Sequence, residues 1–392
     1  MRSPCSSSHL ISRVFPRSRR VSLRLFCLQS CLVLGSARSQ MATETTTVTT
    51  RLYGSLPPFP DDLVHAPIAE ISSRKLLEKD PDATAAVLQA CQTYGFFYLD
   101  VADSDRGRQL LEEADQLYDL SKETLSLPFE EKDQYDFRKT GSFFGYKPAG
   151  TVKLTDKAQR PDSTEFFNIG KDCLFDIAPS TKYPEAIQNA RPLLQKFCKG
   201  AHEMAMDVLR TLARASGEDE EVFVERNLFH ESSGDHVRLT LKPASSASTS
   251  AVGLPSHTDF GSITILFNWL GGLQIESRTP GRIGEWEYVK PLPGKAIVNL
   301  GDAMVHFSNG TMKSAKHRVV PSPGAQAEME RVSVVYFVRP THHSLLKPVG
   351  KFDSGENRVK VAGKFSDGID DKVYTAREWL ELRYIQLNAS KD

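Results

Sequence analysis

Two stretches decide how this chain is read: Ser256-His257-Thr258-Asp259-Phe260-Gly261 and, well beyond it, Ser314-Ala315-Lys316-His317-Arg318-Val319. On an extended segment, positions i and i+2 point to the same face. His257 and Asp259 can therefore enter one interior together. His317 opens an apolar strand and supplies a third donor from a distant part of the chain. Two imidazoles and one carboxylate on one side of a metal leave coordination positions open. A closed four-ligand site would bind a metal without leaving room for a reactant.

A second pair lies in the strand that follows. Arg331-Val332-Ser333 again places positions i and i+2 on one face. A guanidinium beside a hydroxyl is a receptor for a carboxylate, because Arg grips both oxygens through paired N–H donors. A buried Arg without a partner is costly, so an Arg on the inner face of an apolar strand implies an anion. That anion is either a protein carboxylate or a bound acid. His-x-Asp taken alone also arises by chance, with His317 as a core residue. The open ligand set and the anion receptor together point to non-haem iron(II) and oxygen chemistry.

Outward from these motifs, the chain beyond residue 233 breaks into short strands. They are 236–242, 261–267, 272–277, 285–290, 295–300, 316–320 and 331–338. Turn signals separate them: Gly271-Gly272, Pro280-Gly281, Pro293-Gly294, Asn309-Gly310 and Pro323-Gly324. Many short strands at turn spacing predict a β-sandwich or barrel. Ala244–Val252 reads as an exposed low-complexity loop. Upstream, helical spacing marks 83–94, 107–120 and 184–215, and a short aromatic strand marks 95–99. Residues 374–388 read as a closing helix. The expected organisation is a basic leader and Thr-rich tail over 1–56 and a helix-rich region over 57–232. A strand-rich core over 233–345 and a C-terminal segment over 346–392 complete it, packed as one unit.

The formal charge is zero, with 49 basic and 49 acidic side chains. Residues 1–40 hold seven Arg and no acid, so the remainder carries 42 basic against 49 acidic groups. Such a body lacks the basic face of a nucleic-acid binder. Six Cys without CxxC or paired spacing argue against a disulfide framework or zinc knuckle, and for a reducing compartment. The apolar run Leu23–Leu34 is too short and too interrupted to span a membrane. The leader reads as a mitochondrial presequence, as a secretory signal, or as sequence upstream of a true start at Met41. We expect a cytoplasmic monomer acting on a small molecule, or a mitochondrial one if residues 1–40 are a real presequence.

Together these residues resemble the isopenicillin N synthase-like group of iron(II)/2-oxoglutarate-dependent dioxygenases. The likeness extends to Gly271-Gly272-Leu273-Gln274-Ile275, Trp286, Val289, Pro293-Gly294, Val298-Asn299-Leu300-Gly301-Asp302 and Ser308-Asn309-Gly310. Upstream it includes Gly95-Phe96-Phe97, Leu127-Pro128, Lys132, Gly145-Tyr146 and Glu165. It covers roughly residues 60–340, in the order the family shows them. Many members carry Asn-x-Tyr-Pro before the His-x-Asp; here the stretch is Thr240-Leu241-Lys242-Pro243, with Lys242 at the tyrosine position. That Lys either binds an oxyanion or points away from the site. The gap from His317 to Arg331 is also longer than usual.

The resemblance implies a mainly β fold with flanking helices (α+β): a distorted double-stranded β-helix, or jelly roll. It implies iron(II) on His257, Asp259 and His317, and the distal carboxylate of 2-oxoglutarate on Arg331 and Ser333. It implies oxidative decarboxylation of 2-oxoglutarate by O₂, coupled through an iron(IV)-oxo intermediate to hydroxylation, desaturation or cyclisation. Phe260, Phe337 and Tyr146 are the expected substrate-pocket residues, and Phe143, Phe144 and Tyr146 lie in a Gly-bounded loop that could form part of a lid. The substrate stays open between secondary-metabolite scaffolds, amino acids, nucleobases and hormone-like acids. Two other readings remain at this point. One is an iron(II) oxidase of the same fold that does not use 2-oxoglutarate. The other is a non-catalytic metal- or ligand-binding module. A zinc hydrolase would use similar ligands but gives Arg331-x-Ser333 no role.

Overall fold

A computed structural model describes residues 52–136, 142–151, 161–179, 181–245, 253–354 and 372–389. The basic leader, the Thr-rich tail up to residue 51 and most of the 244–252 loop lie outside these residues. The strands are β1 (Glu70–Ser72), β2 (Phe96–Asp100), β3 (Gly145–Lys147), β4 (Glu165–Gly170), β5 (His236–Lys242) and β6 (Leu254–His257). They continue with β7 (Ile263–Asn268), β8 (Leu273–Glu276), β9 (Trp286–Tyr288), β10 (Lys295–Leu300), β11 (His317–Val319) and β12 (Arg331–Val338). The helices are α1 (Ser73–Leu77), α2 (Pro81–Thr93), α3 (Asp105–Leu125), α4 (Phe129–Asp133), α5 (Lys171–Leu174), α6 (Glu185–Asn189), α7 (Arg191–Ala215), α8 (Asp302–Phe307) and α9 (Ala376–Ala389).

The strands form two sheets. The larger runs β1-β2-β10-β7-β12-β5-β4-β3, and the smaller runs β6-β11-β8-β9. Every pairing within them is antiparallel except β1 with β2. This is the expected jelly-roll core with helices against it.

β12 shows why the sequence builds this arrangement. All eight of its residues are buried, which requires cover on both faces. Val332, Val334, Tyr336 and Val338 pack into the core formed with the helices. Arg331, Ser333, Val335 and Phe337 alternate with them and line an interior cavity. α3 and α7 supply the outer cover through Leu110, Leu117, Leu194 and Leu209. Burying each such side chain contributes about 1.5–3 kcal/mol. A smaller cluster, including Phe96, Leu273, Ile275 and Ile297, closes the space between the sheets.

The helix starts follow local chemistry. The Asp80 side chain accepts from the Ala83 N–H at 2.9 Å, with Pro81 opening α2. Ser104 Oγ accepts from the Gly107 N–H at 3.2 Å to start α3. The single helix expected over 184–215 is two helices, interrupted at Ala190. Pro192 explains the break: it has no N–H to donate, and its ring collides with the carbonyl four residues back, so it fits only a first turn.

β1, β3, β4 and β6 add to the strands expected from spacing. β1 and β3 have three residues each, too few to show alternation. Among the described residues, no helix is long and apolar enough to cross a membrane.

Candidate active site

The small sheet brings the three metal-ligand candidates together. β6 and β11 pair antiparallel with His257 directly opposite His317. Their rings lie 4.3 Å apart, centroid to centroid. Asp259 follows two residues after the end of β6. Its Oδ1 lies 3.9 Å from His257 Nε2 and 3.8 Å from His317 Nε2. One ligand atom from each residue falls within 4.8 Å of the others. These separations are too long for hydrogen bonds and suit a shared ion between the donors.

The polar surroundings aim those donors. His257 Nδ1 lies 2.8 Å from the Pro255 carbonyl, and His317 Nδ1 lies 3.1 Å from that of Ala315. A carbonyl only accepts, so each Nδ1 carries a proton and each Nε2 is the ring nitrogen turned to the shared position. Asp259 Oδ2 accepts from Thr264 Oγ1 at 2.7 Å and from Asn299 Nδ2 at 2.8 Å, leaving Oδ1 to the centre. Burial raises the Asp259 pKa, but the His317 and His257 rings and these two hydrogen bonds outweigh it and hold the carboxyl below its usual range. Burial, with the neighbouring His317, lowers His257 to about 4. The donor set is therefore a carboxylate with at least one neutral imidazole, the protonation states that metals need.

The loop between these ligands is clamped from behind. Thr258 Oγ1 donates to Asp302 Oδ2 at 3.1 Å, and the Asp302 N–H donates to the Asp259 carbonyl at 2.8 Å. Arg383 of α9 reaches the same Asp302 Oδ2 at 3.0 Å, with both side chains buried. Gly301 is required where this loop passes: a Cβ there would lie 2.3 Å from the Gly261 carbonyl oxygen.

The large sheet supplies the other end of the same cavity. Arg331 is 4% exposed, yet no carboxylate pairs with it among the described residues. Its Nε donates to the Gly271 carbonyl at 2.8 Å. Burial lowers its pKa to about 10, so it remains a cation at neutral pH. Ser333 Oγ lies 2.5 Å from Thr240 Oγ1 on the neighbouring strand. A buried guanidinium without a protein carboxylate, beside a hydroxyl pair, has the donors that suit a bound acid.

Phe337 lines this cavity with the metal-ligand candidates and Arg331. Two other expected pocket residues do not. Phe260 lines a separate small recess with Arg339, Trp379 and Leu380. Tyr146 is a correction to the expected pocket. β3 pairs with β4 so that Tyr146 stands opposite Phe167, on the face turned to the helices. Its hydroxyl donates to Glu165 Oε2 at 2.5 Å, where Lys132 Nζ also donates at 2.7 Å. Lys132, Tyr146 and Glu165 thus form a structural cluster.

Lys242 stands opposite Arg331 in register. Its ammonium turns to Ser245 Oγ at 2.6 Å and the Pro243 carbonyl at 3.3 Å, and it is absent from the cavity wall. Among the residues that the sequence did not assign to the site but that line the cavity are Arg238, Thr264, Leu266 and Asn299. A signal for two of them was present. Arg238 interrupts the apolar run of 236–242 and Asn299 that of 295–300, each at an inward position.

Residues 234–340 match the family model of the 2OG-Fe(II) oxygenase superfamily. Residues 66–189 match that of the non-haem dioxygenase in morphine synthesis N-terminal region. A 2-oxoglutarate-dependent dioxygenase of Aspergillus fumigatus is 31% identical over 316 residues, covering 74% of this chain and 80% of the relative. Another, from a Dothideomycetidae species, is 30% identical over 290 residues, covering 74% and 86%. A full-length Neurospora crassa protein, crystallised in complex with alpha-KG, superposes with a TM-score of 0.66 at 26% identity, covering 83% of this chain and 98% of that one. The order of motifs, the jelly roll and these similarities agree: the chain belongs to the 2OG-Fe(II) oxygenase superfamily, whose members oxidise substrates with iron(II), 2-oxoglutarate and O₂.

Proposed function

We propose that His257, Asp259 and His317 hold the iron(II) of this dioxygenase, and that Arg331 with Ser333 receives the distal carboxylate of 2-oxoglutarate. One observation carries the assignment. Three donors converge at one end of a cavity whose other end holds a buried guanidinium without a protein carboxylate. A zinc hydrolase or a metal-storage module has no use for that second feature.

When bound, iron(II) and 2-oxoglutarate supply the oxidising chemistry: O₂ is reduced, 2-oxoglutarate leaves as succinate and CO₂, and the substrate is oxidised. The chain's own residues do the placing. Thr264 and Asn299 fix the Asp259 carboxylate, so one oxygen faces the cavity. The Pro255 and Ala315 carbonyls fix both ring tautomers. Leu266 and Val335 add apolar wall to the same cavity, which limits water beside the bound groups. Thr240 holds the Ser333 hydroxyl beside the Arg331 fork.

The substrate is a small organic molecule, consistent with relatives of this fold. The Neurospora crassa protein has been crystallised with thymine and with 5-formyluracil. The test is iron content and succinate release. Protein loaded anaerobically with iron(II) and 2-oxoglutarate, then exposed to O₂, forms succinate slowly without substrate and faster with the correct one. Iron-loaded protein that forms none, across a substrate screen, points instead to an oxidase that takes a different acid at Arg331.

A further inference from the structure

Arg238 is a second guanidinium in the cavity, apart from both the metal-ligand candidates and the Arg331–Ser333 pair. It stands on the inward face of β5, opposite Asn168 of β4 and Val335 of β12. Its Nε donates to Asn168 Oδ1 at 2.8 Å. The Asn168 amide is itself set by donating from Nδ2 to the Phe143 carbonyl at 2.9 Å. The guanidinium carbon lies 4.1 Å from the Phe166 ring centroid and 4.7 Å from that of Phe337. With Nε bonded and the planar faces against rings, the Nη edge is what remains to offer. Arg238 and Phe337 both line the cavity that contains His257, Asp259 and His317.

No carboxylate forms an ion pair with Arg238 among the described residues. Asp259 acts on it through space, but its oxygens are already assigned: Oδ2 accepts from Thr264 and Asn299, and Oδ1 faces the metal position. Arg339, which also acts on it, adds positive charge, and Arg339 Nη1 is buried without a hydrogen-bond partner. Positive charge at a cavity wall, with no protein carboxylate paired to it, favours an anion in that cavity. The distal carboxylate expected at Arg331 is a separate anion. Arg331 pairs with Lys242, four residues along β5 from Arg238, so the two backbone positions stand about 13 Å apart.

We propose that Arg238 binds a carboxylate of the substrate, so that this enzyme oxidises an organic acid whose apolar part lies against Phe337 beside the metal centre. A planar fork open at one edge matches a carboxylate bidentately and fixes the direction of the remaining carbon chain. The inference rests on the metal assignment for its chemistry, but the acid site itself is testable without metal.

The experiment is calorimetric titration of the full chain, without added iron or 2-oxoglutarate, with phenylacetate, 3-phenylpropionate and octanoate, each against its methyl ester. Wild type binds at least one acid about 10- to 100-fold tighter than its ester. That preference survives in Arg331→Gln, which removes the other acid site, and disappears in Arg238→Gln. Arg238→Lys keeps the charge without the fork and retains part of it. Should Arg238→Gln fail to fold, Arg238→Lys alone must show the several-fold drop. Equal affinity for acid and ester, no binding by any acid, or a preference lost in Arg331→Gln instead overturns the proposal. Succinate formation is scored separately: a chain that keeps the Arg238-dependent preference but forms no succinate retains the acid site and loses the oxygenase assignment.

Discussion

The two ends of the cavity are built by opposite means. At the metal end, the donors come from the small sheet: His257 closes β6, His317 opens β11, and Asp259 sits on the loop between β6 and β7. Each is aimed by hydrogen bonds to its side chain, which the strand ladder does not supply. At the Arg331 end, the receptor hangs on β12 and β5, adjacent interior strands of the large sheet, with a helix layer behind them. The metal end therefore depends on a loop and its supporting hydrogen bonds. The acid end depends on backbone register.

This contrast can be broken in steps of decreasing size. Asp259→Ala removes the carboxylate, and iron content with succinate formation should fall by more than about 1,000-fold, well beyond the roughly 10- to 100-fold typical of supporting residues. Metal analysis with circular dichroism checks it, and an unchanged spectrum shows that the fold is intact. Arg331→Gln should weaken 2-oxoglutarate by about 30- to 1,000-fold, the effect of removing one partner from a buried charged pair. Iron stoichiometry should stay near wild type, since β12 carries none of the ligands; a parallel loss of iron would show that the two ends are not independent.

Smaller effects are expected at the residues that support each end. Asn299→Ala removes one hydrogen bond from Asp259 Oδ2 and should cost about 10- to 100-fold in iron affinity, read by competition with a chelator. Thr240→Val strips the hydroxyl that contacts the Ser333 Oγ, N–H and carbonyl, and should raise the 2-oxoglutarate KM by only about 3- to 10-fold, since the bonds lost are neutral. If Thr240→Val proved more damaging than Asn299→Ala, the acid end would be the more delicate of the two.

Much of this arrangement was written locally. β5 and β12 have the bounds that their apolar runs mark, because a strand covered on both faces keeps such a run with its polar exceptions on one side. The spacing of His257 to Asp259 and of Arg331 to Ser333 needs only a two-residue repeat to place each pair on one face. Tyr146 shows where that logic stops. Its sequence neighbours Phe143 and Phe144 suggest a lid, but the register of β3 on β4 turns it to the helices and to Glu165. Ala190 shows the same limit for helices, since the apolar stripe runs on through a position where Pro192 forces a break.

Sequence alone determined the types of chemistry available: two imidazoles, a carboxylate, and a guanidinium with a hydroxyl, each at a spacing that a strand makes cooperative. Which strands face one another was set by long-range packing. It set His257 opposite His317, brought Asn299 and Thr264 behind Asp259, and left Arg238 with one open edge in the cavity. The physical reason is that side-chain direction follows from a local repeat, whereas strand pairing and loop path are fixed by burial across the whole sheet.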